Sequence, residues 1–270
     1  MAEMPAARDA SPAEWDAATY HRVSAPQVRW GTALLGRVEL RGDEVAVDAG
    51  CGTGRLTEQL LSRLPGGRVV GVDRSLAMAA GARHHLRAAG DRFTAIQADL
   101  CHLPLADAIV DLVFSTATFH WIRDHQRLFD EVARVLRRGG RLVAQCGGAG
   151  NIERVHGWAR DAMLLPAFAP SFTNWEDPWE FSSAEECARR LAAAGLCVEH
   201  TGLHQEPTIV EGQQEFAEFV RTVVLRPFLV HLRSEALADE FVATVTRRAA
   251  TADPPWSLDY VRLTMVAVKP

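Results

Sequence analysis

Three glycines alternate directly behind an apolar stretch in VAVDAGCGTG, residues 45–54. The stretch runs into Asp48, and Gly50, Gly52 and Gly54 follow at every second position. Because glycine has no Cβ, this spacing is typical of a strand-to-helix turn where the backbone approaches a nucleotide. In the dinucleotide fingerprint GxGxxG the last glycine comes one residue later. The segment therefore predicts a nucleotide-binding turn of another kind, or a tight turn that needs glycine for geometry alone.

Two further carboxylates stand where predicted strands end. Asp73 closes the apolar run at 68–72, and Asp99 closes the run at 93–98. The carboxyl ends of parallel strands meet at one edge of a sheet, which is where open α/β sheets bind ligands. A carboxylate at the position of Asp73 can accept hydrogen bonds from both hydroxyls of a ribose. Together with Asp48, these acids favour a nucleoside-type ligand over a purely structural turn.

The bulk properties exclude several classes of protein. The 270 residues are 48% hydrophobic and carry a formal net charge of −5, as expected for one large soluble domain with or without an inserted cap. This charge gives no basic footprint for nucleic acid. The five cysteines form no CxxC pair, so no metal site is expected. With no signal-peptide core and no apolar run near the roughly 18 residues of a membrane helix, we expect a cytoplasmic protein away from membranes. The oligomeric state stays open.

Short apolar strands and amphipathic helices alternate along 41–150, which predicts a parallel sheet covered on both faces. Helical spacing also marks 15–40, where Pro26 separates two pieces. The chain is thus divided into N-terminal leader and lid helices (1–40), a binding core (41–150) and a remainder (151–270). Core strands are expected at 44–49, 68–72, 93–98, 111–115 and 141–145, and core helices at 54–64, 75–89 and 125–138.

The remainder is expected to complete the sheet and to carry a helical and aromatic cap. One cap segment, at about 155–180, contains several prolines and is predicted as irregular. The other, at about 213–250, is predicted as two or three helices broken near Pro227. Between them Ser183 opens a helix through a capping box. Strands are expected at 196–203 and 258–268, and the aromatic residues of the cap are Trp158, Phe168, Phe172 and Trp175.

Five segments occur in family order between residues 47 and 145: VDAGCGTG, VVGVDRS, QADL, DLVFSTATFHWI and LFDEVARVLRRGGRLVAQ. In this order the chain resembles the class I S-adenosylmethionine-dependent methyltransferases. The flanking segments WDAATYHRVSAPQVRWG and FAEFVRTVVLRPFLVHL are similar to trans-aconitate methyltransferase-like proteins. The resemblance implies a doubly wound, mostly parallel, seven-stranded Rossmann-like sheet with an antiparallel last strand. It also implies S-adenosyl-L-methionine as cofactor and a small-molecule acceptor.

The resemblance further implies the residues of the cofactor site. Asp48 and the glycines would line the methionine and ribose part, and Asp73 would hold the ribose hydroxyls. Arg29 would pair with the cofactor carboxylate, unless it lies on a solvated helix face. Cys51 is expected to be a small filler of the turn rather than a nucleophile. The full set is Tyr20, Arg29, Asp48, Gly50, Cys51, Gly52, Gly54, Asp73, Arg74, Ala98, Asp99, Leu100 and Ser115.

The candidate acceptor site follows the predicted fourth strand, at FHWI, residues 119–122. His120 is the candidate catalytic residue, as a base or as a hydrogen-bond donor; the alternative is a buried histidine bonded to backbone. Trp121 would form a wall of the acceptor pocket, unless it packs in the core. Arg226 would clamp a carboxylate acceptor, unless its charge is only solvated.

The chemistry of the acceptor decides what the site must supply. A carboxylate is already ionised at neutral pH and needs a clamp, whereas a phenol, indole or amine gains from a base. The favoured function is methyl transfer by in-line displacement to a small molecule of secondary metabolism, with O-methylation of a small acid or hydroxyl ahead. C- or N-methylation of an aromatic or natural-product scaffold, with His120 as base, stays open. A non-catalytic cofactor-binding protein is the alternative of another class.

Overall fold

The computed structural model describes residues 25–270. The predicted helical piece before this range, with Tyr20, lies outside the described residues. Helix α1 (Ala25–Gly36) begins at the expected break, with Pro26 in its first turn. Proline is tolerated there because the N–H groups of the first turn make no hydrogen bond within the helix. Trp30, Leu34 and Leu35 on α1 are buried against the rest of the protein.

The strands are β1 (Val45–Ala49), β2 (Arg68–Asp73), β3 (Phe93–Gln97), β4 (Val110–Thr116), β5 (Leu136–Gly147), β6 (Cys197–Gln205), β7 (Thr208–Ile209), β8 (Ser257–Leu258) and β9 (Val261–Val268). Seven of them form one sheet in the order β3-β2-β1-β4-β5-β9-β6, while β7 and β8 pair separately. In the seven-stranded sheet, β9 runs antiparallel to β5 and β6, and the other strand pairs are parallel. The predicted sheet and its antiparallel last strand are confirmed.

The helices after α1 are α2 (Arg55–Ser62), α3 (Leu76–His85), α4 (His125–Val135), α5 (Glu153–Met163), α6 (Ala184–Ala193), α7 (Gly212–Phe219), α8 (Arg226–Leu229) and α9 (Glu235–Ala250). Ser183 Oγ accepts a hydrogen bond from the Glu186 N–H at 3.1 Å, as the capping box predicts for the start of α6. Within 25–270, no helix has the length and apolar character that crossing a membrane requires.

Both faces of the sheet are covered, because side chains of buried parallel strands are apolar in both directions. Helices α4 and α6 cover one face, where Leu128 and Leu191 pack in one cluster with Leu142 and Met265 of the sheet. Helices α1 and α2 pack with Leu112 and Phe114 on the other face. A third cluster forms the aromatic cap and joins α1 to α5, α7, α8 and α9.

The helix predicted at 125–138 ends three residues early, at Val135. Residues 136–140 are extended and belong to β5: Leu136 pairs with Val110, and the Gly139 N–H bonds to the Lys269 carbonyl at 2.8 Å. Strand pairing at both sides therefore replaces the last helical turn. The two glycines at 139 and 140 lie inside the strand, not at a helix stop.

The prediction that 155–180 is irregular is wrong over the first part of this segment, since α5 occupies Glu153–Met163. The prolines that suggested irregularity all lie after this helix, at positions 166, 170 and 178. The predicted final strand at 258–268 is also in two pieces. Asp259 and Tyr260 separate β8 from β9, and the Asp259 carbonyl accepts from the Ile152 N–H at 3.0 Å.

Candidate active site

A cleft opens at the carboxyl end of β1, between α1, the β1–α2 turn and the end of β4. Its position is the ligand-binding edge expected for an open α/β sheet. Asp48, Gly50, Cys51 and Gly52 of the predicted cofactor set lie in its wall. The lining residues are Gln27, Val28, Asp48, Gly50, Cys51, Gly52, Thr53, Arg55, Leu56 and Thr116.

The three glycines of the turn all have left-handed backbone conformations, with φ of 83° at Gly50, 54° at Gly52 and 88° at Gly54. They differ in what a side chain would meet. A Cβ on Gly50 would lie 2.0 Å from Thr118 Oγ1, and one on Gly54 would lie 3.0 Å from Leu86 Cδ1. A Cβ on Gly52 would meet nothing within 4 Å. Gly52 is therefore the glycine that leaves room for a ligand.

Alanine at Gly52 is expected to preserve the fold and weaken cofactor binding. A left-handed alanine destabilises the protein by only about 1–2 kcal/mol, while its methyl group enters the cleft and should raise the Kd about tenfold or more. Alanine at Gly50 should instead unfold the turn, because its Cβ collides with Thr118. Chemical denaturation and calorimetric titration of both variants test the contrast. Cofactor binding by Gly52→Ala with the wild-type Kd would contradict it.

Asp48 is a buried carboxylate at the bottom of the cleft, with 3% of its surface exposed. Burial raises its pKa from 3.8 to about 6, and the negative charge of Asp73 adds to the rise. The Thr57 hydroxyl donates to Asp48 Oδ2 at 2.6 Å, which opposes the rise by stabilising the ionised form. Ionised Asp48 thus provides a negative charge that a cationic ligand would stabilise.

The raised pKa of Asp48 predicts opposite effects of pH on stability and on binding. Since the native state holds this proton more tightly than the unfolded chain does, Asp48 destabilises the protein as pH rises from about 4 to 6, by about 3 kcal/mol. Asp48→Asn should therefore become more stable relative to the wild type over this interval. Affinity for a cationic cofactor should rise over the same interval in the wild type only. Urea denaturation and calorimetry at pH 4.5–7.5 check both trends; parallel curves for the two proteins would refute the prediction.

Asp73 ties the glycine turn to the start of α3. Its Oδ2 accepts from the Gly52 N–H and its Oδ1 from the Ser75 N–H, each at 2.9 Å. A carboxylate offers about four acceptor positions, so Asp73 can hold ligand hydroxyls in addition to these bonds. The Ala98 N–H donates to the Asp73 carbonyl at 3.1 Å, which places the end of β3 beside that of β2.

The other predicted cofactor residues lie around this edge, and their roles stay predictions. Asp99 is exposed and accepts from the Cys101 N–H at 2.9 Å, next to buried Leu100. Arg74 and Arg29 are exposed, although Gln27 and Val28 on the same helix as Arg29 line the cleft.

Two of the small predicted residues have structural contacts of their own. Ser115 is buried, and its hydroxyl donates to the Ala49 carbonyl at 2.6 Å, while the next residue, Thr116, lines the cleft. Burial raises the pKa of the Cys51 thiol well above its usual range, which suits a filler and not a nucleophile.

Gln27 provides an observation that the sequence did not suggest. Its side chain is 8% exposed, and Oε1 has no hydrogen-bond partner among residues 25–270. A buried acceptor without a donor destabilises a protein by about 1–3 kcal/mol. Because Gln27 lines the cleft, a hydrogen-bond donor on a bound ligand would satisfy this acceptor.

His120 lies in a short 3₁₀ turn, Phe119–Trp121, directly after β4. The turn is joined to the glycine turn by Thr118, whose hydroxyl lies 3.4 Å from the Gly50 carbonyl. The Gly147 N–H donates to His120 Nδ1 at 3.3 Å. Burial, with a contribution from the charge of Arg262, lowers the pKa of His120 well below 6.5. The imidazole is therefore neutral, and since Nδ1 accepts, this bond assigns the proton to Nε2.

A second buried histidine, His125, fixes the His120 turn from behind. Its Nε2 lies 2.9 Å from the Phe119 carbonyl, and its Nδ1 lies 3.1 Å from Ser182 Oγ. The Glu180 N–H also donates to the His120 carbonyl at 2.9 Å. His125 was predicted only as the start of a helix, and no sequence signal indicated this supporting role.

Aromatic rings surround the His120 turn. Trp121 is half-buried and lies against Trp179 with 5.6 Å between ring centroids. His120 stacks on Phe181 at 5.7 Å, and His156 stacks on Trp179 at 4.2 Å. The expected cap residues Trp158, Phe168, Phe172 and Trp175 pack in the same cluster.

The arginines of the cap and of β9 differ in their surroundings. Arg221 pairs on the surface with Glu235 and, at 2.9 Å, with Asp239. Arg226 is half-buried at the start of α8, and its predicted clamp role stays untested. Arg262 on β9 is 2% exposed, and its guanidinium carbon lies 4.6 Å from the Trp30 ring centroid. A charged residue within the apolar run LDYVRLTMVAV was the only sequence signal for Arg262.

Comparison with known proteins agrees with this geometry. The family described as a methyltransferase domain matches residues 47–144. The trans-aconitate 2-methyltransferase of Methylobacterium nodulans is 35% identical, over 94% of this chain and 98% of that protein. The corresponding protein of Azoarcus sp. is 32% identical, over 94% and 99%.

Solved structures show the same fold at low sequence identity. The YcgJ protein of Bacillus subtilis has a TM-score of 0.61 at 20% identity, over 89% of this chain and 98% of that one. Phosphoethanolamine N-methyltransferase 2 of Haemonchus contortus, solved with S-adenosylhomocysteine, has a TM-score of 0.61 at 19% identity, over 94% and 57%.

The sheet order, the glycine turn and the strand-end carboxylates together define a class I S-adenosylmethionine-dependent methyltransferase. Within that class, the chain belongs to the trans-aconitate methyltransferase-like subgroup. Its cofactor is S-adenosylmethionine, which supplies an electrophilic methyl group on a sulfonium. The family therefore excludes the alternative hypothesis of a non-catalytic cofactor-binding protein.

The cleft fits this cofactor. Gln27 Oε1 and the Asp48 carboxylate would accept from an ammonium group and face a nearby positive charge. The open space in front of Gly52 leaves room for the cofactor. Asp73 would hold the ribose hydroxyls. Of these residues, Gln27 was not in the predicted set, because only its position in the fold shows that it faces the cleft.

Proposed function

We propose that this protein transfers the methyl group to a carboxylate oxygen of a small organic acid, forming a methyl ester. The observation that carries the proposal is the hydrogen bond from the Gly147 N–H to His120 Nδ1. With Nδ1 occupied, His120 presents Nε2–H, which is a donor and not a base. A carboxylate acceptor needs a donor to orient it and no base, since it is ionised at neutral pH.

The chain's own residues would then act by position. His120 Nε2–H would hold the oxygen that becomes the ester carbonyl, so that the other oxygen lies in line with the methyl group. Holding reactants in such alignment can account for about 7–11 kcal/mol of a barrier. The buried aromatic residues around Trp121 and Trp179 would exclude water from the reacting atoms.

The relatives support an acid as acceptor, since two similar proteins carry the name trans-aconitate 2-methyltransferase. Trans-aconitate is therefore the first acceptor to test. Methylation of an aromatic carbon or of an amine would gain from a base at this position, and a neutral imidazole with its proton on Nε2 does not supply one there.

The test is a screen with labelled S-adenosylmethionine against small acids, phenols, indoles and amines. We expect label transfer to acids, and alkali should release it as methanol because esters hydrolyse where C–methyl and N–methyl bonds persist. Alkali-stable label on a phenol, indole or amine, with none on an acid, would overturn the proposal.

A further inference from the structure

Arg262 is a buried cation at the same edge of the sheet as His120. It is 2% exposed, and Trp30 covers it from α1 at 4.6 Å. An arginine stays protonated inside proteins, so its charge is permanent. Burying such a charge is costly, and an aromatic face offsets only part of that cost. A cation retained at the ligand-binding edge suits the recognition of an anion.

Strand register places Arg262 beside the backbone residue that contacts His120. Arg262 lies opposite Gly147 in the β5–β9 pair and opposite His204 in the β6–β9 pair. Gly147 is also the residue whose N–H donates to His120 Nδ1 at 3.3 Å. Arg262 and His120 therefore meet at one backbone position, and the charge of Arg262 contributes to the lowered pKa of His120.

We propose that Arg262 anchors a second anionic group of the acceptor, beside the carboxylate that is methylated, and so selects small di- and tricarboxylic acids. The proposal rests on the proposed function and assigns the clamp role to Arg262 instead of Arg226. A guanidinium has five N–H donors in a planar fork, so Arg262 can keep contacts within the protein while it offers one edge to a carboxylate. The anchored group stays ionised and is not the nucleophile.

Acid binding can be measured without turnover, on the protein saturated with S-adenosylhomocysteine. Calorimetric titration compares trans-aconitate with a monocarboxylic acid of similar size. Arg262→Gln should raise the Kd for trans-aconitate about 100-fold and leave the weak binding of the monocarboxylic acid unchanged. Arg262→Lys keeps the charge without the fork and should fall between, about tenfold weaker than the wild type.

Two controls separate recognition from folding. The Kd for S-adenosylhomocysteine should be unchanged in both variants, which shows that the cofactor cleft is intact. Arg141→Gln removes a cation from the same sheet, at an exposed pair with Glu199, and should bind trans-aconitate as the wild type does. If Arg262→Gln does not fold, Arg262→Lys decides the matter.

The outcomes distinguish this inference from the proposed function. If the protein methylates acids and the Arg262 variants bind trans-aconitate with the wild-type Kd, the anchor role is refuted while the function stands. If polycarboxylic acids bind through Arg262 without being methylated, the anchor role stands and the ester-forming function fails. If the wild-type protein binds no carboxylic acid, both are refuted.

Discussion

Replacing Asp73 by asparagine should raise the Kd for S-adenosylmethionine about 100-fold or more. Asp73 accepts from the Gly52 and Ser75 N–H groups through its two oxygens, each at 2.9 Å. An amide would turn an NH₂ group against one of these donors and would also lose the charge that a ribose diol prefers. Hydrogen bonds to charged groups contribute about 1.5–3 kcal/mol each. Losing the two bonds from the ribose hydroxyls to Asp73 would therefore exceed the roughly 2.7 kcal/mol of a 100-fold change in Kd.

Calorimetry with a cofactor analogue that lacks the ribose hydroxyls separates the direct contact from the organising role. The wild-type protein should bind this analogue as weakly as Asp73→Asn binds the intact cofactor, and the variant should lose little more with the analogue. Asp91 is an exposed aspartate, and Asp91→Asn is the matched control, which should bind the cofactor with the wild-type Kd. An equal loss with the analogue in wild type and variant would show that Asp73 does not contact the ribose.

His120→Ala should lower kcat/KM for the acid acceptor about 100-fold, since a misaligned acceptor loses the advantage of position. His120→Gln should recover part of this loss, because its amide nitrogen reaches the place of Nε2 and donates. His120→Asn reaches only the place of Nδ1 and should stay as poor as alanine. The exposed His84 offers a control, and His84→Ala should react as the wild type does.

The pH profile of the wild-type enzyme provides a second readout for His120. Because burial lowers the pKa of the imidazole well below 6.5, the donor form persists from pH 6 upward. The rate should therefore show no histidine titration between pH 6.5 and 8. A general base would give a rising limb and a glutamine variant as inactive as alanine; observing both would refute the donor role.

The cofactor edge of the fold could be predicted from the sequence because its signals are local. Glycine spacing, apolar runs and the acids that close them all repeat within short stretches, and they place Asp48 and Asp73 without knowledge of the tertiary structure. Thr57 is different, because its bond to Asp48 depends on how α2 leaves the glycine turn. Gln27 also lacks a sequence signal, since α1 reaches the cleft from outside the core.

The acceptor side could be predicted only in part, because long-range register determines it. His120 was found through its place after a strand, but its tautomer depends on Gly147, 27 residues later. Arg262 comes beside that contact only because β9 inserts antiparallel between β5 and β6. Long-range pairing also explains why α4 ends early. Residues 136–140 form strand hydrogen bonds instead of a last helical turn, and one partner is Lys269, far away in sequence.

Helix α1 touches both the cofactor cleft and the proposed acceptor site. Gln27 and Val28 line the cofactor cleft, and two to three residues later Trp30 packs on Tyr260, with 4.8 Å between ring centroids, and on Arg262. A ligand that holds α1 in place on one side therefore lowers the free energy of organising the other, and this coupling is reciprocal. Acceptor analogues should accordingly bind more tightly to the loaded protein than to the empty one.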